Sequence, residues 1–197
     1  MMNSFEGVNV EDLTHCPQDN FASGIKTKVY YAPTSYFDKI DLPTLKNTYD
    51  DFVSIAKNGI EFRGGGWNSI DILIGENELK QTLSGSLQRK KSKTELEFLI
   101  LGFRTKVLGF IEAHKNTPMI FVVVDAVGNN WVIGNLRNRA FMDNADVSTQ
   151  KKYEDNSGAV VKISANSAIF YFGNQQSWID EGVFTREFTF EFNQEFT

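Results

Sequence analysis

The stretch from Met119 to Gly134 constrains this chain most. Met119-Ile120-Phe121-Val122-Val123-Val124 is a continuous apolar run rich in β-branched residues. It enters a polar, glycine-containing turn, Asp125-Ala126-Val127-Gly128-Asn129-Asn130, and leaves as a second short apolar run, Trp131-Val132-Ile133-Gly134. Side chains of this kind fit a pleated sheet surface, and two such runs around a polar turn predict a β-hairpin.

The remaining pattern is mostly strand as well. Ile25 to Ala32 alternates Ile25, Thr27, Val29 and Tyr31 against Lys26, Lys28 and Tyr30, the period of a strand with one wet face. Pro33 ends it, and Thr34 to Asp51, polar and carrying Pro43, is expected to be a long connection. Phe52 to Ala56 and Gly59 to Arg63 are two short runs split by Lys57-Asn58. Trp67 to Gly75 sets Ile70, Ile72 and Ile74 opposite Asp71 and Leu73; Glu76 to Leu87 carries Leu79, Leu83 and Leu87; and Thr94 to Leu101 returns with Leu96, Phe98 and Ile100 inward. Residues 67–101 are therefore expected to form one long hairpin with a cationic turn at Arg89-Lys90-Lys91-Ser92-Lys93. After the opening hairpin come Leu136 to Asp143 and then Asn144 to Gly158, polar and without a period and so a loop; Ala159 to Ser164 and Ala168 to Phe172 are further strands. Val183 to Phe192 alternates most cleanly: Phe184, Phe188, Phe190 and Phe192 share a face with Arg186, while Thr185, Glu187, Thr189 and Glu191 share the other.

One segment departs from this period. Phe103, Val107, Phe110, Ile111 and His114 recur at helical spacing, which predicts a helix near 103–115 with Pro118 soon after its end. Gly109 inside it costs about 1 kcal/mol relative to alanine, which suggests close approach to a sheet. Residues 1–22 have no period and form an expected N-terminal arm; 23–197 form an expected single β-rich domain.

Composition narrows the function classes. A 197-residue chain with 41% hydrophobic and 23% charged residues can build a substantial core. The net charge of −5 disfavours general phosphate-driven nucleic-acid binding. A single cysteine, Cys16, allows no intrachain disulfide, and Met1 to Leu13 lacks a basic, apolar leader. No apolar run approaches the roughly 20 residues of a membrane helix. These features predict a protein folded in a cytoplasm, without a membrane anchor.

No catalytic motif emerges. Gly64-Gly65-Gly66 is followed by neither a Lys-Ser/Thr pair nor a helix, so it is a bend and not a phosphate loop. His15 and His114 are the only histidines, and with Cys16 they do not make a metal-ligand set. No metal and no cofactor are expected. Glu76/Glu78, Glu95/Glu97 and Glu187/Glu191 are spaced along strands and suit a solvated sheet face. A sharper reading treats Glu76, Glu78, Glu95 and Glu97 as a continuous negative wall lining a channel in a ring of subunits, where it repels DNA phosphates. Arg89, Lys90, Lys91 and Lys93 then form a solvated tip or an inter-subunit contact, and Trp178 is a further interface candidate. Trp131 is expected in the core.

The order of these segments resembles a known family. Gly24-Ile25-Lys26-Thr27-Lys28-Val29-Tyr30-Tyr31-Ala32-Pro33, the long acidic-faced hairpin, the Val107-Leu108-Gly109-Phe110 helix, the Val123 to Gly134 hairpin and Ser157-Gly158 before another strand resemble tail-tube-like virion structural proteins of tailed bacteriophages, notably of Bacteroides-type phages and prophages. The resemblance spans roughly residues 24–172. It implies a mainly β fold: two packed antiparallel sheets, partly barrel-like, with one flanking helix. It also implies homo-oligomeric rings around a channel for DNA ejection, and no enzymatic activity. Partners would be copies of the chain, other tail or connector proteins, and DNA in non-specific passage; the location would be the virion, after assembly in the host cytoplasm. The long N-terminal arm and the aromatic C-terminal strand depart from the pattern, leaving a tube, a portal-attached connector ring and a terminator all open. Two other classes remain: a β-sandwich carbohydrate-binding or adhesion module stacking sugars on Trp67 and Trp178, and a carboxylate-based glycan enzyme.

Overall fold

The computed structural model describes residues 11–13, 23–44, 47–151 and 156–173. It is mainly β with one helix. In chain order the strands are β1 (Ile25–Pro33), β2 (Phe37–Ile40), β3 (Ile60–Phe62), β4 (Asn68–Asp71), β5 (Glu78–Ser84) and β6 (Lys91–Leu101). The helix α1 (Thr105–His114) follows, then β7 (Met119–Asp125), β8 (Asn130–Ile133), β9 (Ala140–Ser148), β10 (Gly158–Ala165) and β11 (Phe170–Tyr171).

Two antiparallel sheets result: a nine-stranded one, and the small pair β2–β3. The large sheet runs β11-β8-β7-β9-β10-β6-β5, with β1 also on β7 and β4 on β1. It is not closed into a barrel. β9 meets β7 at a single pair, Met119 with Ala140. The sheet is thus two halves, β4-β1-β7-β8-β11 and β9-β10-β6-β5, joined at that corner and again just past β4, where the Leu73 amide donates to the Leu99 carbonyl of β6 at 2.9 Å.

The corner has a local cause. Gly134 turns the chain at φ +84°, and a Cβ there would lie 2.9 Å from the Ala140 nitrogen, so only glycine fits. Asn135 closes the excursion: its Oδ1 accepts the amides of Arg137 (2.9 Å) and Asn138 (2.7 Å), and its own amide donates to the Asn138 carbonyl at 2.9 Å.

The apolar run of β7 is continuous because both of its faces are buried. Met119, Phe121 and Val123 join Leu96, Phe98, Ile100, Val161 and Ile163 of the other half in one core. Ile120 and Val122 join Val132, Phe37, Trp67 and Phe170 in a second core under the small sheet. α1 closes the first core with Val107, while Tyr31 meets the Phe110 ring edge-on at 5.2 Å. The helix does not use Gly109 for close packing: nothing lies within 4 Å of where its Cβ would be. Phe103 precedes the helix and is exposed.

Two expected connections prove to be strands, each because a bulge breaks the two-residue period. In β2 the buried residues are Phe37 and Ile40, with Asp38 and Lys39 exposed between them and a register shift against β3. In β9 the inward residues are Ala140 and Met142, then Ala145 and Val147, because the register shifts at Lys162/Ile163 and leaves Asp143 as the extra residue. The loop expected from Asn144 therefore starts only after Ser148. The expected hairpin over 67–101 is also divided. Its first strand, β4, pairs with β1, and the hairpin proper is β5–β6.

Candidate assembly surface

β5 and β6 pair from Glu78 with Glu97 to Ser84 with Lys91. Because strand side chains alternate, Leu79, Gln81 and Leu83 share the inner side of β5, and Glu78, Lys80 and Thr82 share the outer side. Leu79 packs against the core. Gln81 is tied down: its Oε1 accepts the Ile169 amide at 2.8 Å. Opposite it, Thr94 is buried and its hydroxyl donates to the Ser167 carbonyl at 2.8 Å. The next inner residue, Leu83, is 65% exposed. Support from the core therefore ends between Gln81 and Leu83, and the hairpin continues past it. At the tip Leu87 is 85% exposed. The tip backbone is tightly set, since a Cβ on Gly85 (φ +111°) would lie 2.5 Å from the Arg89 carbonyl oxygen, while the Arg89 amide donates to the Ser86 carbonyl at 3.0 Å. Arg89, Lys90 and Lys91 are exposed beside it. Of the expected basic turn, Lys91 and Lys93 belong to β6.

The outer face of β6 and its neighbours is not a continuous negative wall. Glu78, Glu95, Glu97 and Asp143 share a shallow groove of about 370 Å³ with Lys80 and Lys162. The Lys93 ammonium lies 2.8 Å from Glu95, and that of Lys162 lies 2.9 Å from Glu97. The Lys93 hydrogen bond and charge hold the Glu95 carboxyl below the usual range, and Glu97 raises Lys162 in the same way. Cross-strand neighbours of opposite sign explain the mixture: Glu95 opposes Lys80 on β5, and Glu97 opposes Lys162 on β10. Glu76 lies apart, exposed in the turn before β5.

The borders of the large sheet differ. Beyond β11, the Tyr171 amide donates to the Val53 carbonyl and the Ile55 amide to the Tyr171 carbonyl, both at 2.8 Å. That border is covered by the chain's own residues 53–55. Among the described residues no strand covers the outer edge of β5, whereas just past β4 the Leu73 amide donates to the Leu99 carbonyl of β6 at 2.9 Å. In the N-terminal arm, Glu11 accepts the Tyr49 amide at 3.1 Å.

The opening hairpin has a structural centre. Asp125 Oδ1 accepts the amides of Gly128 (2.7 Å) and Asn129 (2.8 Å). Its Oδ2 accepts Asn129 Nδ2 (3.0 Å) and Trp131 Nε1 (2.8 Å). Partial burial pushes this carboxyl up, but the bonds from Trp131, Asn129 and Gly128 outweigh it and hold the group below its ordinary value. Trp131 is partly buried there, tilted against Tyr171 at 5.6 Å.

Trp67 is 3% exposed, enclosed by Phe37 and Phe62 with ring centroids at 5.2 and 5.5 Å, so it offers no stacking surface to a sugar. Trp178, His15, Cys16 and the strand expected at 183–192 lie outside the described residues. Among the described residues no three His, Cys, Asp or Glu side chains gather as a metal site, and no helix is long and apolar enough to cross a membrane. What sequence reasoning missed is the overhang. Alternation shows Leu83 and Leu87 as inward residues, and only the position of the core shows that nothing lies beneath them. No protein-family model matches this chain, and no curated protein matches it.

Proposed function

We propose that this protein is a structural subunit of a phage virion, in the tail or in a portal-attached connector, which assembles with its own copies into rings around a DNA channel. The observation that carries this reading is the β5–β6 hairpin, which runs past its core with Leu83 and Leu87 exposed next to Arg89, Lys90 and Lys91. Exposed apolar side chains on an ordered projection favour burial against another surface. The open sheet edge at β5 is the natural site for lateral contact.

The mixed-charge face supports passage of DNA in place of the negative wall. Lys93 and Lys162 are each engaged by a glutamate, so few free cations are left on that face to hold phosphates. In this reading Arg89, Lys90 and Lys91 serve the inter-subunit side, while Lys93 is held on the channel face by Glu95, and other tail or connector proteins meet the ring at its faces.

The test is direct. Full-length protein is concentrated and measured by sedimentation, then imaged by negative-stain electron microscopy. Annular particles are expected. A single sedimenting monomer at all concentrations, with no annular density, rejects the proposal.

A further inference from the structure

The half-sheet β9-β10-β6-β5 has an open edge on each side. One is β5. The other is β9: past its single pair of Ala140 with Met119, no strand meets it on the side away from β10 among the described residues. All three pairings inside this half are antiparallel. With four strands, β5 and β9 therefore run in opposite directions. Rotation about an axis near the strand direction keeps the sense of every strand. A copy placed beside β5 by such a rotation thus presents its β9 antiparallel to that edge.

We propose that the β5 edge of each copy pairs with the β9 edge of its neighbour, a contact that rests on ring formation and names the partner of the open edge. Side-chain chemistry selects one register. Leu79 faces the neighbour's Val147, Lys80 its Asp146, Gln81 its Ala145 and Thr82 its Asn144. Asp143 is the extra residue, as it is against β10, so Leu83 then faces Met142 and Ser84 faces Phe141. On the core side apolar meets apolar: Val147 and Met142 are partly buried against the core, and the overhanging Leu83 is covered. On the other side Lys80 and Asp146, both exposed, are of opposite sign. A slip of one residue turns the apolar side outward. A slip of two toward the start of β9 sets Leu83 on Ala140, which Met119 already holds. A slip of two the other way leaves Leu79 beyond Ser148, where β9 ends.

The same register suits a closed sheet. Within one copy Leu79, Leu96, Ile163 and Met142 lie in one row across the four strands. Across the contact the neighbour's Met142 lies beside Leu83 instead of Leu79. The stagger is therefore four residues for every four strands. At about 3.4 Å per residue and about 4.8 Å per strand, this tilts the strands by about 35° from the ring axis. Closed sheets tilt by about 35–45°, a value that the side-chain matching does not impose.

The test uses the full chain with Cys16→Ser, Lys80→Cys and Asp146→Cys, oxidised at concentrations where annular particles are seen and separated without reductant. Opposed residues on paired antiparallel strands have Cα atoms about 4.5–5.5 Å apart, within disulfide reach. A ladder of linked copies beyond the dimer is expected. In the control, Phe141→Cys replaces Asp146→Cys and lies about 13 Å further along the strand, so linking is expected to be at least about tenfold slower. In chains without added cysteines, Lys80→Glu and Asp146→Lys are each expected to raise the concentration for half-assembly about fivefold, and the two together to lower it again. Annular particles with equal linking in both pairs, or with no response to the charge reversals, overturn the β5–β9 contact and leave ring formation standing. Linked dimers from Lys80→Cys alone, with no longer ladder in the pair, put the contact on a two-fold axis and overturn it as well. A monomer at all concentrations overturns both the contact and the ring.

Discussion

Replacing Asp125 by alanine tests whether one carboxylate organises the central hairpin. Four donors converge on it, at 2.7, 2.8, 2.8 and 3.0 Å. A hydrogen bond to a charged acceptor contributes about 1.5–3 kcal/mol, but bonds sharing one acceptor do not add. The site is partly open, so water can take over some freed donors; the Trp131 indole, pinned beside Tyr171, is the least able to turn toward it. The expected loss is about 3 kcal/mol, a fall in melting temperature of roughly 6–12 °C for a chain of this size. Asp125→Asn keeps an acceptor for the two backbone amides but turns an NH2 group toward Trp131 Nε1 and Asn129 Nδ2, with an expected cost of about 2 kcal/mol. Urea titrations at several pH values measure both. Because folding depresses this carboxyl, its contribution is fully present above the unfolded value of about 4 and is lost as pH falls through the lower folded value. The gap between wild type and Asp125→Ala should therefore be constant from neutral pH to about pH 5 and shrink below about pH 4. A loss under about 1 kcal/mol at pH 7, or a gap that widens in acid, refutes the account of the turn.

Gly109→Ala should stabilise the protein by about 1 kcal/mol in a thermal melt, because the added methyl meets nothing within 4 Å and removes a glycine from a helix. Gly158→Ala should do the opposite: its Cβ would lie 2.1 Å from the Ile100 carbonyl oxygen across the β6–β10 pair, with an expected cost of about 3 kcal/mol in urea unfolding. Leu83→Ser with Leu87→Ser should leave monomer stability within about 0.5 kcal/mol, since both side chains are exposed, yet shift sedimentation toward the monomer. Unchanged assembly in that variant would remove the hairpin tip from the interface.

The sequence by itself determined the elements whose period is regular. The β7–β8 hairpin was legible because its apolar runs and its Asp125 to Asn130 turn are contiguous, so local chemistry sets both strand and turn. β1, β6, β10 and the helix were legible for the same reason, with ends shifted by a few residues. The tertiary structure alone decided what depends on partners distant in the chain. The bulges at Phe37/Lys39 and Lys162/Ile163 offset the inward residues of β2 and β9, so neither strand alternates in the sequence. Cross-strand pairing with Lys80 and Lys162 turned an expected acidic wall into a face of mixed charge, because charge along one strand says nothing of the charge beside it. Leu79 and Leu83 are alike in sequence, four residues apart on the same side of β5; the core lies under one and ends before the other. Burial belongs to the packed molecule, and so does the overhang on which the assembly proposal rests.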